Sequence, residues 1–468
     1  MAITGSRKSI YAILKLVLLL CVVNGVASRD GKGGHHKGGQ GGHGGGGHPG
    51  GGHAGGGGKG GGHGGGHAGG GQAAGGGKGG GHGGGHAGGG QAAGGGKGGG
   101  NGGGGGGGGA VFDVTKYGAK ADDKSDSALS FIKTWRAACD SGSASRMLIP
   151  KGKFVAGPMV FVGPCKGKIT VEVQGYIKAT TDLSDYTDPN WISFERIDGL
   201  TMIGSGTFDG QGSASWKYNK GGGGSLPDQL KFFKVDNSDI SGITSLNSKY
   251  FHYHIVSCTN VNFHNLHITA PGDSPNTDGM HISSSTGIKL TNSAIGTGDD
   301  CVSIGQGATD VTVSKVTCGP GHGFSVGSLG KYKNELDVSG ITVTDCTLSG
   351  TTNGARIKTY AGSGPSNAKN IIFNNLIMNN VKNPIIIDQF YGSNSKQASK
   401  VKLSDIHFTN IRGTSGTPEV VTLKCSSAAP CSQVELSNIN LSFGGAKGKA
   451  SCSNAKVVGK PSPVTCPK

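Results

Sequence analysis

Short apolar runs, rich in β-branched residues and broken by Asn, Gly, Asp and Ser, recur along the chain from about residue 192. Within a run, apolar and polar residues alternate, which predicts a strand with one buried face. Seven such runs align with one another; they start at Val261, Ile288, Val311, Ile341, Ile371, Val401 and Val434. Their spacing of 23 to 33 residues indicates stacked repeats of strand and turn. The pattern therefore predicts an all-β parallel β-helix, with polar residues, often Asn, at each bend.

The alternative fold is a β-sandwich, whose strands would recur about every 8–12 residues without a longer period. Ahead of the repeats, residues 111–114 predict a short first strand. Residues 127–139 then predict one short helix, which Ser125 or Asp126 would cap. Its apolar stripe is Ala128, Leu129, Ile132, Trp135 and Ala138.

Two N-terminal segments differ from this pattern. Residues 1–28 combine basic Arg7, Lys8 and Lys15 with an apolar run over 16–23 and small residues after it, which predicts a secretory signal peptide. A membrane anchor is the alternative, but the run is too short to span a bilayer, and no later stretch approaches about 20 apolar residues. We therefore expect no membrane partner.

Residues 29–109 are mostly glycine with His, Lys, Ala and Gln, so they cannot bury an apolar core and are predicted to be disordered. Lys59, Lys78 and Lys97 mark a repeat of 19 residues. A His-rich tract of this kind can bind Zn or Cu, but we favour a flexible basic spacer. The folded domain is then predicted to cover residues 110–468.

The formal net charge is +16, of which +8 remains once the first 109 residues are set aside. A basic domain of an exported protein favours a polyanionic partner. Export makes an acidic wall polysaccharide a better partner than nucleic acid, for which the sequence carries no aromatic-interleaved basic signature.

The chain has eleven cysteines, ten of which remain when Cys21 leaves with the signal. Ten cysteines in an exported protein indicate disulfides, although sequence alone fixes no pairing. Short separations make four pairs plausible and leave Cys258 and Cys346 as buried thiols; the pairs are Cys425/Cys431, Cys452/Cys466, Cys301/Cys318 and Cys139/Cys165. Asn440 begins the single glycosylation sequon that we find.

The candidate chemistry lies in four short segments, 276–279, 298–300, 321–323 and 356–358. They carry three carboxylates, one imidazole and two fixed cations, in Asp278, Asp299, Asp300, His322, Arg356 and Lys358. Because the segments are about one coil apart, stacking should bring them to one groove. Carboxylates that transfer protons, beside cations that bind acidic sugars, suit acid/base hydrolysis of an acidic polymer.

The adjacent Asp299 and Asp300 would face opposite sides of an ideal strand, so we expect the glycines before them to bend or bulge the chain. Without the other three segments, this Asp pair would indicate only an Asp-rich turn. Side chains two apart share a strand face, which predicts that Asn276 joins Asp278 and that Arg356 joins Lys358. In such a cluster at least one carboxyl should hold a proton at mildly acidic pH.

These four segments, in this order, resemble the polygalacturonase family of glycoside hydrolases. The segments 270–279, 318–323 and 327–330 are most similar to plant pollen-type exopolygalacturonases. The resemblance runs from about Phe112 to the C-terminus and does not include the Gly/His-rich tract. It implies a single-stranded, right-handed, pectin-lyase-like parallel β-helix that hydrolyses α-1,4-galacturonosyl bonds with inversion.

The resemblance also implies a role for each site residue. Asp299 would be the general acid, Asp278 and Asp300 would activate the attacking water, and His322 would support the proton on the acid and bind substrate. The implied galacturonate-binding residues are Asn276, Arg356, Lys358 and Tyr391.

We therefore expect a secreted, monomeric pectin hydrolase of the plant cell wall that acts on chain ends and needs neither metal nor cofactor. Three alternatives remain: endo-cleavage by the same site, a Ca²⁺-dependent pectate lyase, and a wall protein that binds pectin without cleaving it.

Overall fold

The computed structural model describes residues 109–219, 226–392, 397–459, 463, 464 and 466. The predicted signal peptide (residues 1–28) lies outside these residues. So does the predicted Gly/His-rich spacer (residues 29–109), apart from its last residue. The proposed start of the folded domain at residue 110 remains a prediction.

The described chain is a right-handed parallel β-helix, as predicted. Its strands pair in three parallel ladders, which run side by side along the helix. They are named ladders A, B and C, and their strands are assigned below once the bounds are given.

The first coils are built from short strands. These are β1 (Ala110–Asp113), β2 (Asp122–Asp126), β3 (Ser145–Ile149), β4 (Lys153–Ala156), β5 (Met159–Val162), β6 (Ile169–Val173), β7 (Tyr176–Ala179), β8 (Asn190–Asp198), β9 (Leu200–Gly204) and β10 (Thr207–Asp209). Four 3-10 helices lie among them, at Val114–Tyr117, Leu183–Asp185, Gly212–Ala214 and Trp216–Tyr218.

The middle coils are the most regular. Their strands are β11 (Asp228–Ser241), β12 (Thr244–Leu246), β13 (Tyr253–Val256), β14 (Thr259–His264), β15 (His267–Thr269), β16 (Met280–Ser283), β17 (Thr286–Thr291), β18 (Ala294–Gly296), β19 (Val302–Ile304), β20 (Thr309–Ser314), β21 (Thr317–Cys318), β22 (Phe324–Leu329), β23 (Val338–Thr344) and β24 (Thr347–Ser349).

The last coils have longer strands. They are β25 (Asn353–Tyr360), β26 (Ser366–Asn374), β27 (Ile377–Val381), β28 (Asn383–Tyr391), β29 (Val401–Ser415), β30 (Glu419–Lys424), β31 (Cys431–Phe443), β32 (Ala446–Lys447), β33 (Lys449–Ser453) and β34 (Ala455–Val458). β32 pairs antiparallel with β31.

The three ladders are assembled from these strands. Ladder A contains β5, β8, β11, β13, β16, β19, β22, β25, β28, β30 and β33. Ladder B contains β1, β3, β6, β9, β11, β14, β17, β20, β23, β26, β29, β31 and β34. Ladder C contains β2, β4, β7, β10, β12, β15, β18, β21, β24, β27 and β29.

The single α-helix within the described residues, α1, covers Ala128–Cys139 and lies at the N-terminal end of the coils, as predicted. The N-cap residue is Ser127 and not the predicted Ser125 or Asp126; Ser127 makes no side-chain cap hydrogen bond, and Asp126 before it accepts a hydrogen bond from the Ala128 N–H at 3.0 Å. The predicted apolar stripe was wrong at Leu129, which is 57% exposed, and it omitted Phe131, which is buried. Phe131 takes that place because it packs edge-on against Phe154 of β4.

The repeated runs lie in ladder B, and most of their predicted starting residues share one register position. Val261 pairs with Ile288, Val311 with Ile341, and Ile341 with Ile371. The prediction was wrong at Val401, because Ile371 pairs with Ile406, five residues later. β29 begins with a second buried apolar pair, Val401 and Leu403, ahead of Ile406 and Phe408, so the start of the repeated run could not be located from its apolar spacing.

The bends between ladders B and C carry the expected polar residues. Asn265, Asn292, Asp345, Asn375 and Asn410 adopt left-handed backbone conformations with φ between 49° and 56°. Asn and Asp tolerate this region better than other side chains that have a Cβ. Successive bends are also linked, since the Asn375 amide donates to Asp345 at 2.6 Å.

The core lies inside the coils, where like residues stack along the helix axis. Phe194, Phe232 and Tyr253 stack in sequence, with ring centroids 5.4 and 6.3 Å apart. All four predicted disulfides are present, and Cys258 and Cys346 are buried free thiols, as predicted. Among the described residues, no helix is long and apolar enough to cross a membrane.

Candidate active site

Ladder A places four polar residues side by side on its outer surface. His281, Ser303, Ser325 and Arg356 are register neighbours in β16, β19, β22 and β25. Each follows an inward apolar residue, so that strand alternation turns its side chain outward. The loops that enter these strands carry Asp278, Asp299, Asp300 and His322, and the four predicted segments therefore do meet at one place.

Asp300 is 1% exposed and is surrounded by positive charge. Its Oδ1 accepts hydrogen bonds from Ser325 Oγ at 2.8 Å and from Arg356, and its Oδ2 accepts from Lys358 Nζ at 2.8 Å. Burial alone would raise the pKa of Asp300, but the charges of Lys358 and Arg356 outweigh burial and lower this pKa to about 2. Asp300 is therefore a fixed anion.

Asp278 has the opposite electrostatic setting. Its side chain is nearly buried, and Oδ2 accepts a hydrogen bond from Ser303 Oγ at 2.6 Å. Burial and the nearby Asp299 and Asp300 carboxylates raise the pKa of Asp278 well above its usual range, against smaller lowering effects of Ser303 and Lys358. The expected proton-holding carboxyl of the unliganded site is therefore Asp278.

Asp299 lies between an amide and an imidazole. Its Oδ2 accepts from Asn276 Nδ2 at 3.0 Å, and its Oδ1 lies 2.9 Å from His322 Nδ1 and accepts from the Asp300 N–H. It is less buried than Asp300, with 19% of its side chain exposed against 1%. Of the two carboxyls, Asp299 is thus the one that a substrate can reach more easily.

The predicted bend before this pair is present. Asp299 and Asp300 lie outside any strand, in the turn between β18 and β19. Gly298 is needed there because a Cβ at this position would lie 1.9 Å from the Ser274 carbonyl oxygen. The turn frees both carboxyls from strand alternation.

The prediction that Asn276 and Asp278 share a strand face was wrong. Both precede β16 in a loop, and Asn276 has a left-handed backbone with φ 53°. Asn219 donates from Nδ2 to Asn276 Oδ1 at 3.0 Å, which leaves the Asn276 amide nitrogen to donate to Asp299. Arg356 and Lys358 do share a face, in β25, and both reach Asp300.

Tyr391 joins the site beside these cations. It pairs with Tyr360 at the ends of β28 and β25, and the two rings meet edge-on at 5.6 Å. Lys358 Nζ lies 5.2 Å from the centre of the Tyr391 ring. The Lys358 ammonium group thus lies against the aromatic face of Tyr391.

Sequence reasoning missed Asn219, His281, Ser303 and Ser325. One signal could have identified the last three, namely the triplets 280–282, 302–304, 324–326 and 355–357. Each has a polar residue between two apolar ones, and alignment of the triplets puts the polar residues in one row. Asn219 has no such signal because it lies in an irregular loop.

Asp299, Asp300 and His322 could be considered as metal ligands, since their ligand atoms lie within 4.8 Å of one another. The donor set fits a metal poorly, because both oxygens of Asp300 already bind cationic side chains. A metal ion would also add charge next to Arg356 and Lys358, which opposes binding.

Known proteins match this chain over its β-helix. The family model described as Glycosyl hydrolases family 28 matches residues 139–466. An exopolygalacturonase of Arabidopsis thaliana is 50% identical over 376 residues, which is 76% of this chain and 88% of the relative. An exopolygalacturonase of Platanus acerifolia is 47% identical over 360 residues, which is 74% of this chain and 94% of the relative.

A solved structure shows the same architecture. The crystal structure of endo-xylogalacturonan hydrolase from Aspergillus tubingensis has a TM-score of 0.68 and 27% sequence identity. The similarity covers 75% of this chain and 100% of that one.

Proposed function

The chain belongs to glycosyl hydrolase family 28, and from this membership we propose that it is an exopolygalacturonase, which removes galacturonic acid from the ends of polygalacturonate chains by hydrolysis of α-1,4 bonds. One observation carries the proposal: Asp278, Asp299 and Asp300 lie together beside two cations, Arg356 and Lys358. The relatives named exopolygalacturonase match along most of their length, which supports action on chain ends.

In the proposed reaction, Asp299 gives a proton to the glycosidic oxygen as the bond from that oxygen to the sugar C1 breaks. His322, 2.9 Å from Asp299 Oδ1, shares that proton and orients the acid. A water attacks C1 from the opposite side and loses its own proton to the Asp278/Asp300 pair. The attack from the opposite side inverts the configuration at C1.

The two members of the pair contribute differently. Asp278 is the more basic, so its ionised form takes the water proton. Asp300 stays ionised, helps hold the water, and stabilises the positive charge that develops on the sugar ring. The base step is lost in acid, because protonated Asp278 cannot take the proton of the water.

Arg356, Lys358 and Tyr391 form the proposed subsite for the galacturonate that is cleaved. Arg356 and Lys358 are the two fixed cations of this surface, and they can bind the carboxylate of a sugar beside Asp300. The Tyr391 ring gives the sugar an apolar face to lie on. Asn276 acts mainly on Asp299, although a substrate hydroxyl could also reach its amide.

The proposal extends to where the enzyme acts. The charge balance, the N-terminal apolar run and the four disulfides support secretion to the plant cell wall, where polygalacturonate is the partner. We propose that the enzyme acts there as a monomer without a cofactor.

The test is a product profile on demethylated polygalacturonate, with the viscosity followed in parallel. Galacturonic acid alone, with slowly falling viscosity, is the expected result. Mixed oligomers with early loss of viscosity would indicate an endo-enzyme. Endo-cleavage is the second candidate, because the similar solved structure is that of an endo-xylogalacturonan hydrolase. Unsaturated products would indicate a lyase, and bound pectin without products a binding protein.

A further inference from the structure

Asp278 ends a short chain of hydrogen bonds that begins at His281. His281 Nδ1 lies 2.7 Å from Ser303 Oγ, and Ser303 Oγ lies 2.6 Å from Asp278 Oδ2. Because an ionised Asp278 can only accept, the serine hydroxyl donates to it, and His281 Nδ1–H must then donate to the serine. The chain thus links β16 and β19 to the carboxyl in the loop before β16.

Asp300 ends a second chain of the same form, one coil further along. Ser325 Oγ donates to Asp300 Oδ1 at 2.8 Å, and Arg356 Nε donates to Ser325 Oγ at 2.7 Å. Ser303 and Ser325 are direct register neighbours in ladder A. The two aspartates therefore have equivalent serine partners but differ in the residue behind each serine, an imidazole for one and a guanidinium for the other.

The imidazole of His281 is held in its neutral form. Its ring stacks on Phe251, with centroids 4.8 Å apart, and meets the His254 ring edge-on. Burial, helped by His254 and Lys358, lowers the pKa of His281 to about 3, while Asp300 acts in the opposite direction. His254 has a partner of its own, since its Nδ1 lies 2.6 Å from Asp228 Oδ2.

We propose that His281 is a positioning residue, which acts through Ser303 to fix the Asp278 carboxyl while lending it no positive charge. The proposal rests on the proposed function, because it concerns the same site. Its consequence is a division of labour: the guanidinium behind Ser325 keeps Asp300 a fixed anion, whereas the neutral imidazole behind Ser303 leaves Asp278 free to gain and lose a proton.

Other charged groups also face these two residues and set the background. Asp278 faces Asp299, Asp300, Lys358 and the phenol of Tyr250, and His281 faces His254, Lys358 and Asp300. None of these groups changes when His281 alone is replaced. A shift in the titration of Asp278 would then report the hydrogen-bond chain.

The experiment compares three variants in the full-length protein: His281→Leu, His281→Asn and, as a control, His267→Leu on the exposed face of ladder C. Leu removes the donor, whereas the Asn amide nitrogen can replace Nδ1–H. Without His281, Ser303 is no longer oriented and its hydrogen bond to Asp278 weakens. The acid limb of the kcat–pH profile on polygalacturonate should therefore move up by about one pH unit in His281→Leu.

In His281→Asn, the acid limb of the kcat–pH profile should return toward that of the wild type. His267→Leu should leave this limb unchanged. An unmoved limb in His281→Leu, or an equal fall in kcat at every pH, would overturn the proposal. So would an equal effect of Leu and Asn, because that would indicate packing alone.

A second readout does not need catalysis. The raised pKa of folded Asp278 makes the stability fall as pH rises from the unfolded pKa through the folded one. Over that pH range, Tm should fall further in His281→Leu than in the wild type. The extra fall should disappear when Asp278→Asn is added. If wild-type protein releases no galacturonic acid but this Tm cycle holds, the proposed function fails while the hydrogen-bond chain stands; if the cycle shows no excess, the chain fails.

Discussion

Lys358 Nζ lies 2.8 Å from Asp300 Oδ2, although the two residues are 58 positions apart in the chain. The side chains of Lys358 and Asp300 are 8% and 1% exposed, so the pair is almost wholly removed from water. Stacking of coils brings them together, since β25 lies two strands along ladder A from the turn that carries Asp300. A buried carboxylate in this position stays charged only because cations surround it.

The first prediction concerns this ion pair. Lys358→Met should raise the pKa of Asp300, because one of two lowering charges is lost while burial still raises it. The Asp300 carboxylate would then become protonated at a higher pH than in the wild type. Activity should therefore fall more at acidic pH than at neutral pH. Breaking a buried pair costs up to about 3–5 kcal/mol, here reduced by the remaining Arg356.

The kcat–pH profile and urea unfolding of Lys358→Met check this prediction. Lys424→Met is the matched control, because Lys424 lies exposed on the same ladder. Equal profiles for the two variants would show that Lys358 does not set the charge of Asp300.

How much of this fold follows from the sequence depends on how each feature is encoded. The coil repeat could be predicted because the buried face of ladder B recurs as apolar residues two apart, and because Asn and Asp mark most left-handed bends between ladders B and C. The register at Val401 could not, since Val401 and Leu403 have the same spacing as Ile406 and Phe408, and both pairs are buried. The predicted apolar stripe of the helix was wrong at Leu129. Phe131 is buried in its place because it packs against Phe154 of β4, and this contact is not visible in the sequence.

The site divides in the same way. The six chemically distinctive residues of the site could be predicted to meet, since the four segments that carry them lie about one coil apart; they are Asp278, Asp299, Asp300, His322, Arg356 and Lys358. Ser303 and Ser325 look like any other strand serine until the register is known. The pKa difference between Asp278 and Asp300 depends on which cation reaches which carboxyl, and this is decided by side-chain contacts across coils.

The second prediction concerns the proposed acid. Asp299→Asn keeps the shape of the side chain and an oxygen for the Asn276 amide, but it has no proton to give to the leaving oxygen. We expect kcat to fall by about 10²–10⁴-fold, with Tm nearly unchanged. Asp345→Asn, on an exposed bend between ladders B and C, is the control and should retain full activity. If Asp299→Asn stays active, another group must be the general acid.

The third prediction concerns the turn that presents Asp299. A Cβ at Gly298 would lie 1.9 Å from the Ser274 carbonyl oxygen, so Gly298→Ala must displace the loop that carries the acid. Activity should fall by more than tenfold, and Tm should also fall. Gly142→Ala is the control, because a Cβ at Gly142 meets nothing within 4 Å. Full activity in Gly298→Ala would mean that the position of Asp299 tolerates this displacement.

The fourth prediction concerns metal. Because Arg356 and Lys358 occupy both oxygens of Asp300, we expect the site to work without a metal ion. Dialysis against a chelator, followed by assay in metal-free buffer, should leave the rate of galacturonic acid release unchanged. Loss of that rate, with recovery on adding Ca²⁺, would instead support lyase-type chemistry and would require a cation at this cluster.

The fifth prediction concerns stability in ladder B, away from the active site. His407 lies between two carboxylates, with Nδ1 2.6 Å from Glu435 and Nε2 2.8 Å from Asp405. Burial alone would lower the pKa of His407, but the hydrogen bonds to Glu435 and Asp405 raise it above the usual value of 6.5. This histidine is therefore charged in the folded protein at pH values where it is already neutral in the unfolded chain.

A raised folded pKa gives stability that is fully present below the unfolded pKa and is lost as pH rises through the folded pKa. His407→Gln should therefore lower Tm at mildly acidic pH and have little effect well above the folded pKa. The effect should be small, since a third of the His407 side chain is exposed and water screens the pair. Thermal unfolding across pH, with His267→Gln as an exposed control on ladder C, measures it. A Tm difference that does not change with pH would assign His407 a packing role instead of an electrostatic one.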